Sequence, residues 1–431
     1  MPLLRLIRRA HASSFIRSVA VLTSGSVIAQ IIPVLMLPIF TRMFDASVFG
    51  MQALLLVGIS FFLPLVTGFY EFALPSPRSN RHARGIVTIA LSLSATFNLL
   101  MLALIACFRE PLAHLLGLEV MGNWIYAYPV VIFSFSLLNI SNYWLLRQGK
   151  FRLQSLNKIF QASLGAAMVL MFGLAHMAQG LLAGFVLGIA TTGLFALMQA
   201  RRHHLRLDYH STRLYYWRLM RKYAEFPIFG GLPSAINNLA AQVPVIIITA
   251  HYSLATTGHY SVVRNLLLAA SFMIASGVGL VIHKKFADMI IARQPLWRAN
   301  LQVTGLLVAT GIAASAALFF LGPWFFGLYL GRGWEDSAEI VRTLAPLFVF
   351  WLVGPALANA VMAIKKLRMI ALWQVMHGVM AFVLIGFSHL PFDEFLRCVV
   401  MYEAFSYTLY FILMTLAVYR YDRAQKSIQT L

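Results

Sequence analysis

The amino-acid sequence predicts an all-α integral membrane protein of about twelve spanning helices. Of its 431 residues, 60% are hydrophobic and only 11% are charged, and the mean hydropathy is +0.78. Soluble domains carry about 25% charged residues, so lipid is the better solvent for most of these side chains. Apolar runs of about 20 residues, the length that crosses a bilayer, recur along the chain. Basic residues cluster between these runs.

Each apolar run is long enough to form one spanning helix, and the runs divide into two sets of six. The first six spans are predicted at Ser14–Thr41, Val48–Leu74, Gly85–Phe108, Ile125–Leu146, Ile159–Ala178 and Leu181–Ala200. The second six are predicted at Phe226–Ala250, Thr256–Ile282, Leu301–Leu321, Ile340–Ala363, Met369–Phe387 and Phe395–Tyr419.

The basic residues predict the orientation of these spans. The formal net charge of +20 would suggest a nucleic-acid partner in a soluble protein, but here the charges follow the loops. With a cytoplasmic N-terminus, 28 of the 34 lysines and arginines belong to the inner side. Short loops rich in lysine and arginine stay in the cytoplasm, so both termini are predicted to be cytoplasmic. No nucleic-acid partner is expected.

The longest inner connection divides the chain. Residues 201–225 mix arginines and a lysine with Tyr215, Tyr216 and Trp217, a composition typical of an interfacial helix on anionic lipid. The predicted organisation is therefore an N-terminal lobe at 1–200, a cytoplasmic interfacial linker at 201–225 and a C-terminal lobe at 226–431.

The two lobes resemble a parallel repeat. Ala29-Gln30-Ile31-Ile32-Pro33 in the first span is similar to Ala241-Gln242-Val243-Pro244 in the seventh, and Gly50 and Gly258 open the next spans. Parallel repeats occur in transporters, where the substrate site lies between the halves.

Motifs for soluble catalysis are absent from the sequence. It contains no P-loop, dinucleotide fingerprint, zinc HExxH pair or nucleophile elbow. No catalytic residue, metal or cofactor is therefore expected, and a transporter is favoured over an enzyme. A membrane polymerase or ligase would need an outer-loop site, for which Glu335, Asp336 and Glu339 are the nearest candidates. A solvated loop and helix N-terminus is the alternative interpretation of these acids.

Arg264 is the clearest ionisable residue inside a predicted span. It lies about eight residues into the eighth span, roughly 12 Å along the helix axis. Such a charge costs about 2.5–3.5 kcal/mol on insertion scales, so it is a functional candidate. The guanidinium could bind phosphate oxygens in an inner cavity. Alternatively, it could form a buried ion pair with Glu403 of the twelfth span, which is also a candidate for proton or cation coupling.

Amides and tyrosines share helix faces near Arg264. Residues four apart in a helix lie on one face. Three pairs have this spacing: Asn238 and Gln242, Tyr260 and Arg264, and Ser261 and Asn265. With Asn237 and Gln30 they could form a polar lining between the halves, or make ordinary hydrogen bonds between helices.

Glu71 lies near the inner end of the second predicted span. Arg78 or Arg81 in the following loop could pair with its carboxylate.

Several short patterns carry a resemblance to a known family. They are Tyr70-Glu71-Phe72-Ala73-Leu74-Pro75, Gly149-Lys150-Phe151-Arg152, Glu225-Phe226-Pro227, Pro233-Ser234-Ala235-Ile236-Asn237-Asn238, Gln242-Val243-Pro244 and Gly258-His259-Tyr260. In their order and placement from Ser14 to Asp288, the chain resembles the Wzx-type polysaccharide biosynthesis flippases. These belong to the multidrug/oligosaccharidyl-lipid/polysaccharide exporter (MOP) superfamily. The last four spans match in hydropathy only.

This resemblance implies two six-helix lobes around a central cleft lined by spans one, two, seven and eight. It places on or near that cleft Gln30, Glu71, Asn237, Asn238, Gln242 and Arg264. The implied substrate is an undecaprenyl-pyrophosphate-linked oligosaccharide, moved from the inner to the outer leaflet by alternating access. The implied setting is surface polysaccharide biosynthesis, of O-antigen, lipopolysaccharide or a capsule, at the bacterial cytoplasmic (inner) membrane, with other assembly proteins as partners.

Two alternatives remain open at this point. The first is a proton- or sodium-coupled small-molecule exporter of the same superfamily, because fold does not determine substrate. The second is a membrane polysaccharide polymerase or ligase that acts on the same lipid carrier.

Overall fold

A computed structural model describes residues 2–208, 211–292, 294–364 and 366–429. Some residues in these ranges have a described backbone only. They are 2–20, 22–23, 116, 276–285, 287–288, 291, 356, 359–360, 362–363, 367–368, 424 and 426–429. The basic side chains of the N-terminal tail, which entered the topology prediction, therefore lie outside the description.

Within the described residues the regular structure is helical throughout. The first seven helices are α1 Pro2–Met43, α2 Ala46–Val66, α3 Asn80–Leu116, α4 Ala127–Arg147, α5 Phe151–Leu174, α6 Gly180–Arg202 and α7 Arg213–Lys222. The next seven are α8 Leu232–His251, α9 Leu254–Ile291, α10 Trp297–Leu330, α11 Ser337–Leu344, α12 Leu347–Ala363, α13 Leu367–Ala381 and α14 Phe392–Gln429. Short 3-10 helices lie at Tyr70–Ala73, Glu119–Tyr126 and Phe382–Phe387, and a π-helical turn at Pro227–Gly231.

The helices confirm the prediction of a multi-pass membrane protein. In the described residues, ten helical stretches are long and apolar enough to cross a membrane, and α11 and α12, bent by 58°, make an eleventh if they are one span. α9 covers the predicted eighth span, although part of its side chains lies outside the description. Large apolar side chains such as Phe320 and Trp324 point outward, as expected where lipid is the solvent. The orientation of the termini stays a prediction.

The chain forms two compact units. The first comprises Met1–Met36 and Gly58–Ala235, and the second comprises Leu37–Val57 and Ile236–Leu431. The C-terminal part of α1 and the N-terminal part of α2 thus belong to the second unit, although both are early in the sequence.

In the first unit, α4, α5 and α6 pack together, α3 packs on α4, and α7 packs on α3. Its buried core includes Ile86 of α3, Trp144 of α4 and Leu219 of α7, while Tyr215 and Tyr216 pack around it. The predicted linker therefore contributes side chains to the core of this unit.

Two predicted span boundaries in the first unit are wrong. α2 ends at Val66, well before the predicted end at Leu74, because Gly68 and Phe69 both have positive φ (60° and 59°) and break the helix. α5 begins at Phe151, two residues after Gly149 with φ 68°, and not at Ile159. Lys158 therefore lies inside the span, where the sequence predicted an inner loop.

In the second unit, α9, α10 and α14 all pack on α12. The last turn of α1 is hydrogen-bonded to the end of α10. Thr41 Oγ1 donates to Leu330 O (2.8 Å), and the Arg42 guanidinium donates to Leu328 O (3.1 Å) and Tyr329 O (3.0 Å). A cation at these last carbonyls also complements the negative end of the helix dipole.

Candidate functional site

Arg264 lies in a buried cluster of polar and aromatic side chains in the second unit. It is the eleventh residue of α9 and is only 8% exposed. Its charge interacts with Glu403 and Tyr407 of α14 and with Tyr260 one turn earlier on α9. The Nε of Arg264 has no hydrogen-bond partner. The guanidinium therefore retains unused donor capacity in a setting where an unmet donor is costly.

Glu403 does not neutralise Arg264 by direct contact. Within the described residues, no ion pair joins the two side chains within 4.0 Å. The Glu403 carboxylate instead accepts a hydrogen bond from Trp351 Nε1 (3.0 Å), and Glu403 is 4% exposed. The direct ion pair that the sequence allowed as an alternative is therefore not formed here. The two charges lie in one cluster without pairing.

Asn237 joins the same cluster through His377. Asn237 Oδ1 and His377 Nδ1 lie 3.1 Å apart, and His377 is within electrostatic range of Arg264. Trp373 stacks on the imidazole (centroids 5.0 Å apart), and Tyr402 stacks at 5.6 Å and donates to His377 O (3.0 Å). This aromatic packing holds the imidazole, and with it the Asn237 amide, in one orientation.

No sequence motif pointed to His377, Trp351 or Tyr407. The available signal was spacing, because Trp373 and His377, like Glu403 and Tyr407, are four residues apart and share a helix face. His377 and Tyr407 interact electrostatically with Arg264, and Trp351 joins the cluster through Glu403, because α9, α12, α13 and α14 pack together.

The other predicted site residues of the second unit are placed differently. Tyr260 is fully buried and its hydroxyl has no hydrogen-bond partner. Asn238 and Gln242 are half-buried on α8. Asn265 is exposed although its neighbour Arg264 is buried, since consecutive helical residues point about 100° apart. The structure thus brings together Arg264, Tyr260, Glu403 and Asn237, and does not place Asn265 with them.

Glu71 lies in the first unit, between the spans Ala46–Val66 and Asn80–Leu115. It is 2% exposed, and its Oε2 has no hydrogen-bond partner. Burial raises the pKa of the Glu71 carboxyl to about 7, and a hydrogen bond with the Thr67 side chain opposes this shift.

The predicted pairing of Glu71 with Arg78 or Arg81 is not observed, since the described side chains contain no such ion pair within 4.0 Å. The nearby Arg147 guanidinium donates to Leu74 O (3.2 Å) and to Pro77 O. The segment after Glu71 is therefore held by Arg147 through its own backbone carbonyls, and among the described side chains no cation lies within 4.0 Å of the Glu71 carboxylate.

Gln30 and Lys158 are further polar groups of the first unit. Gln30 Oε1 is buried without a hydrogen-bond partner. Lys158 Nζ donates to Ser26 Oγ (2.8 Å), which lies one turn before Gln30 on α1. Sequence reasoning missed Lys158 because it placed the start of α5 after this residue.

Metal-binding side chains do not gather in the described part of the chain, where no group of three or more His, Cys, Asp or Glu could hold a metal ion. The polar chemistry of both units consists of cations, carboxyls, amides and hydroxyls in apolar surroundings. Such groups suit the binding of an anionic or hydroxyl-rich ligand.

Solved structures of membrane transporters share this fold. A multidrug resistance MATE family transporter of the MOP superfamily in an outward-facing conformation is 15% identical, over 96% of this chain and 97% of that chain, with a TM-score of 0.62. An inward-facing conformation is 14% identical over 94% of each chain, with a TM-score of 0.63. At these identities the likeness shows the fold alone.

A third solved structure with this fold is also a MOP superfamily transporter. It is from Pyrococcus furiosus, and the reverse polarity of its binding pocket suggests a different function. It is 14% identical, over 95% of this chain and 96% of that chain, with a TM-score of 0.62.

Sequence comparison gives the family. No curated protein matches the chain. Residues 15–283, more than half of the chain, match the family model described as polysaccharide biosynthesis protein. The chain therefore belongs to the polysaccharide biosynthesis protein family and has the fold of the MOP superfamily transporters.

Proposed function

We propose that the protein is a flippase for a lipid-linked oligosaccharide. It would move an undecaprenyl-pyrophosphate-linked glycan from the inner to the outer leaflet, for O-antigen, lipopolysaccharide or capsule-like polysaccharide. The observation that carries this proposal is the buried Arg264 guanidinium, whose Nε is unsatisfied and which, among the described side chains, has no carboxylate within ion-pair distance. A diphosphate can supply both the missing charge and the missing acceptors.

The surrounding residues have complementary roles in this proposal. Arg264 would neutralise the pyrophosphate, and the Tyr260 hydroxyl, which lacks a partner, would contact the headgroup. Asn237, Asn238 and Gln242 would bind sugar hydroxyls. The lipid tail would stay in the bilayer while the site is exposed to one side of the membrane at a time.

The cellular setting belongs to the same proposal. It is the bacterial cytoplasmic membrane, with other polysaccharide assembly proteins as partners. Anionic membrane lipids would contact α7, whose side chains Arg213, Trp217, Arg218, Arg221 and Lys222 are exposed.

The test replaces Arg264 and measures surface glycan export. We expect Arg264→Ala to abolish export and Arg264→Lys to retain part of it, because lysine keeps the charge but loses the bidentate geometry. Both variants must be shown in the membrane at wild-type amounts. Arg342, an exposed cation that pairs with Glu339 at 3.2 Å, provides the control Arg342→Ala, which should export normally. Unchanged export in Arg264→Ala would refute the phosphate role.

A coupled small-molecule exporter is the second candidate. It is favoured by the likeness to MATE transporters and by the buried Glu403, which could carry a coupling ion. If the protein is such an exporter, its overexpression should confer drug resistance, and Glu403→Gln should remove that resistance. A polymerase or ligase would change the mass of labelled lipid-linked sugar incubated with purified protein, whereas a flippase changes only its leaflet.

A further inference from the structure

Lys158 is an unneutralised cation inside a spanning helix. It is the eighth residue of α5, about 10 Å along the axis from Phe151. Lysines at such positions are costly in a membrane and usually pair with a carboxylate or extend to the headgroups. In the part of the chain that the structure describes, no acidic side chain lies within 4.0 Å of Lys158.

The Lys158 side chain points to a neighbouring helix and not along its own helix to the headgroups. Its ammonium donates to Ser26 Oγ of α1 at 2.8 Å. Ser26 is a neutral partner, so the contact orients the ammonium without cancelling its charge.

Contacts before Lys158 hold α5 in this position. Ser155 Oγ donates to Val21 O (2.6 Å), and Gly25 allows the close approach, because a Cβ there would collide with the Ser155 side chain. On another face, Asn157 Nδ2 donates to Asn142 Oδ1 of α4 (2.9 Å), and both amides are buried. α5 is thus fastened to α1 and to α4 within one turn of the lysine, which directs Lys158 towards α1.

Two glutamine oxygens without a donor lie one helical turn from the two ends of this contact. Gln154 lies four residues before Lys158, and Gln30 lies four residues after Ser26, so each shares a helix face with its neighbour. The Oε1 atoms of both glutamines are buried and have no donor. Buried acceptors without a donor, near a cation without a counter-charge, are costly unless a ligand supplies the missing partners.

A ligand that satisfies this arrangement must combine an anion with hydroxyl donors. The ammonium has three donors and Ser26 accepts one of them, which leaves capacity for phosphate oxygens. The glutamine oxygens need donors, which sugar hydroxyls supply. We infer that Lys158, Gln154, Gln30 and Ser26 form a site in the first unit for the sugar-phosphate end of a lipid-linked glycan. This inference rests on the proposed flippase function. It assigns the sugar-phosphate end of the proposed substrate to this site.

The test measures binding to purified full-length protein in detergent. The probes are a short-chain polyisoprenyl diphosphate with one N-acetylglucosamine, the same diphosphate without sugar, and the neutral polyisoprenol. We expect Lys158→Met to weaken both diphosphates about tenfold or more, the equivalent of about 1.4 kcal/mol, and Lys158→Arg to weaken them much less. Gln154→Leu should weaken only the sugar-bearing probe. The neutral polyisoprenol should be unaffected by any of these changes.

Arg152 provides the matched control, because it is an exposed cation at the start of the same helix. Arg152→Gln should leave the affinities unchanged, and thermal melting verifies that each variant is folded. Wild-type affinity of Lys158→Met for both diphosphates would overturn this inference and leave the flippase proposal standing. Equal losses in Arg152→Gln and Lys158→Met would also overturn it, since general surface charge would then explain the binding. If the wild-type protein binds neither diphosphate, the proposed function itself fails and this inference with it.

Discussion

Gly258 of α9 packs directly against the backbone carbonyl of Ala46, and Gly50 of α2 packs in the same way against the carbonyl of Leu254. A Cβ on Gly258 would overlap Ala46 O and lie 3.1 Å from Gly50 N, and one on Gly50 would overlap Leu254 O. The N-terminal ends of α2 and α9, where these glycines lie, both belong to the second unit. The contact is reciprocal, like an isologous contact between two copies of one surface. The repeat that the two glycines suggested in the sequence stays a prediction.

This relationship predicts a large cost for a single methyl group. Gly258→Ala should lower the melting temperature of detergent-solubilised protein by several degrees, because backbone carbonyls cannot move aside as a flexible side chain can. The control is Gly327→Ala in α10, where a Cβ meets nothing within 4 Å and alanine favours the helix. If the Gly258→Ala and Gly327→Ala variants have the same melting temperature, the close packing between the N-terminal ends of α2 and α9 is wrong.

Glu403 provides a test of the charge at Arg264. Glu403→Gln removes a negative charge that interacts with the guanidinium and keeps an acceptor for Trp351 Nε1. If Arg264 binds pyrophosphate, the variant should bind a polyisoprenyl diphosphate severalfold more tightly, and the gain should vanish in Arg264→Ala/Glu403→Gln. Calorimetric titration of both variants measures this. A weaker affinity in Glu403→Gln would instead assign the carboxylate to binding or coupling.

The buried carboxyl of Glu71 should make the stability of the folded protein depend on pH. Because burial raises the pKa of this carboxyl from 4.5 to about 7, the folded protein binds more protons than the unfolded chain between these values. The stability contributed by protonated Glu71 is therefore complete below about pH 4.5 and is lost as the pH rises through about 7.

Glu71→Gln keeps a neutral side chain at all pH values and should remove this slope. The variant should melt above the wild type at pH 8, and the difference should shrink as the pH falls to 5. Melting curves at several pH values measure it, with Glu119→Gln, an exposed acid, as control. A difference that is independent of pH would contradict a titrating, unpaired Glu71.

The exposed face of α7 predicts an association with anionic lipid. Trp217 and Leu214 are exposed beside Arg218, Arg221 and Lys222, whereas Leu219 on the other face is buried in the first unit. A fluorophore at position 217, in a variant with both cysteines replaced, should be quenched more strongly by brominated lipids when the vesicles contain phosphatidylglycerol. Replacing the three cations by glutamine should abolish this dependence, while Arg218→Lys with Arg221→Lys should preserve it. Equal quenching in neutral and anionic vesicles would exclude the electrostatic part of the contact.

The sequence by itself determined the class of the protein. Twelve apolar runs and a low charge content indicate spanning helices, since lipid imposes the same requirement on every residue of a span. The motifs around Glu71, Asn237 and Gly258 were enough to suggest the family, which the match over residues 15–283 then confirmed. These are local properties, and they can be derived from residues that are close in the chain.

Only the tertiary structure decided which polar groups meet. The sequence could place Arg264 in a span but could not choose between an ion pair with Glu403 and a separate partner, because that depends on how α9, α12 and α14 pack. It also placed Lys158 in a loop, since hydropathy counts a lysine against a helix, whereas Ser26 and the adjacent amide contacts stabilise it within α5. Charges inside a membrane are held by neighbours distant in the chain, so their partners follow from the packing of helices and not from local pattern.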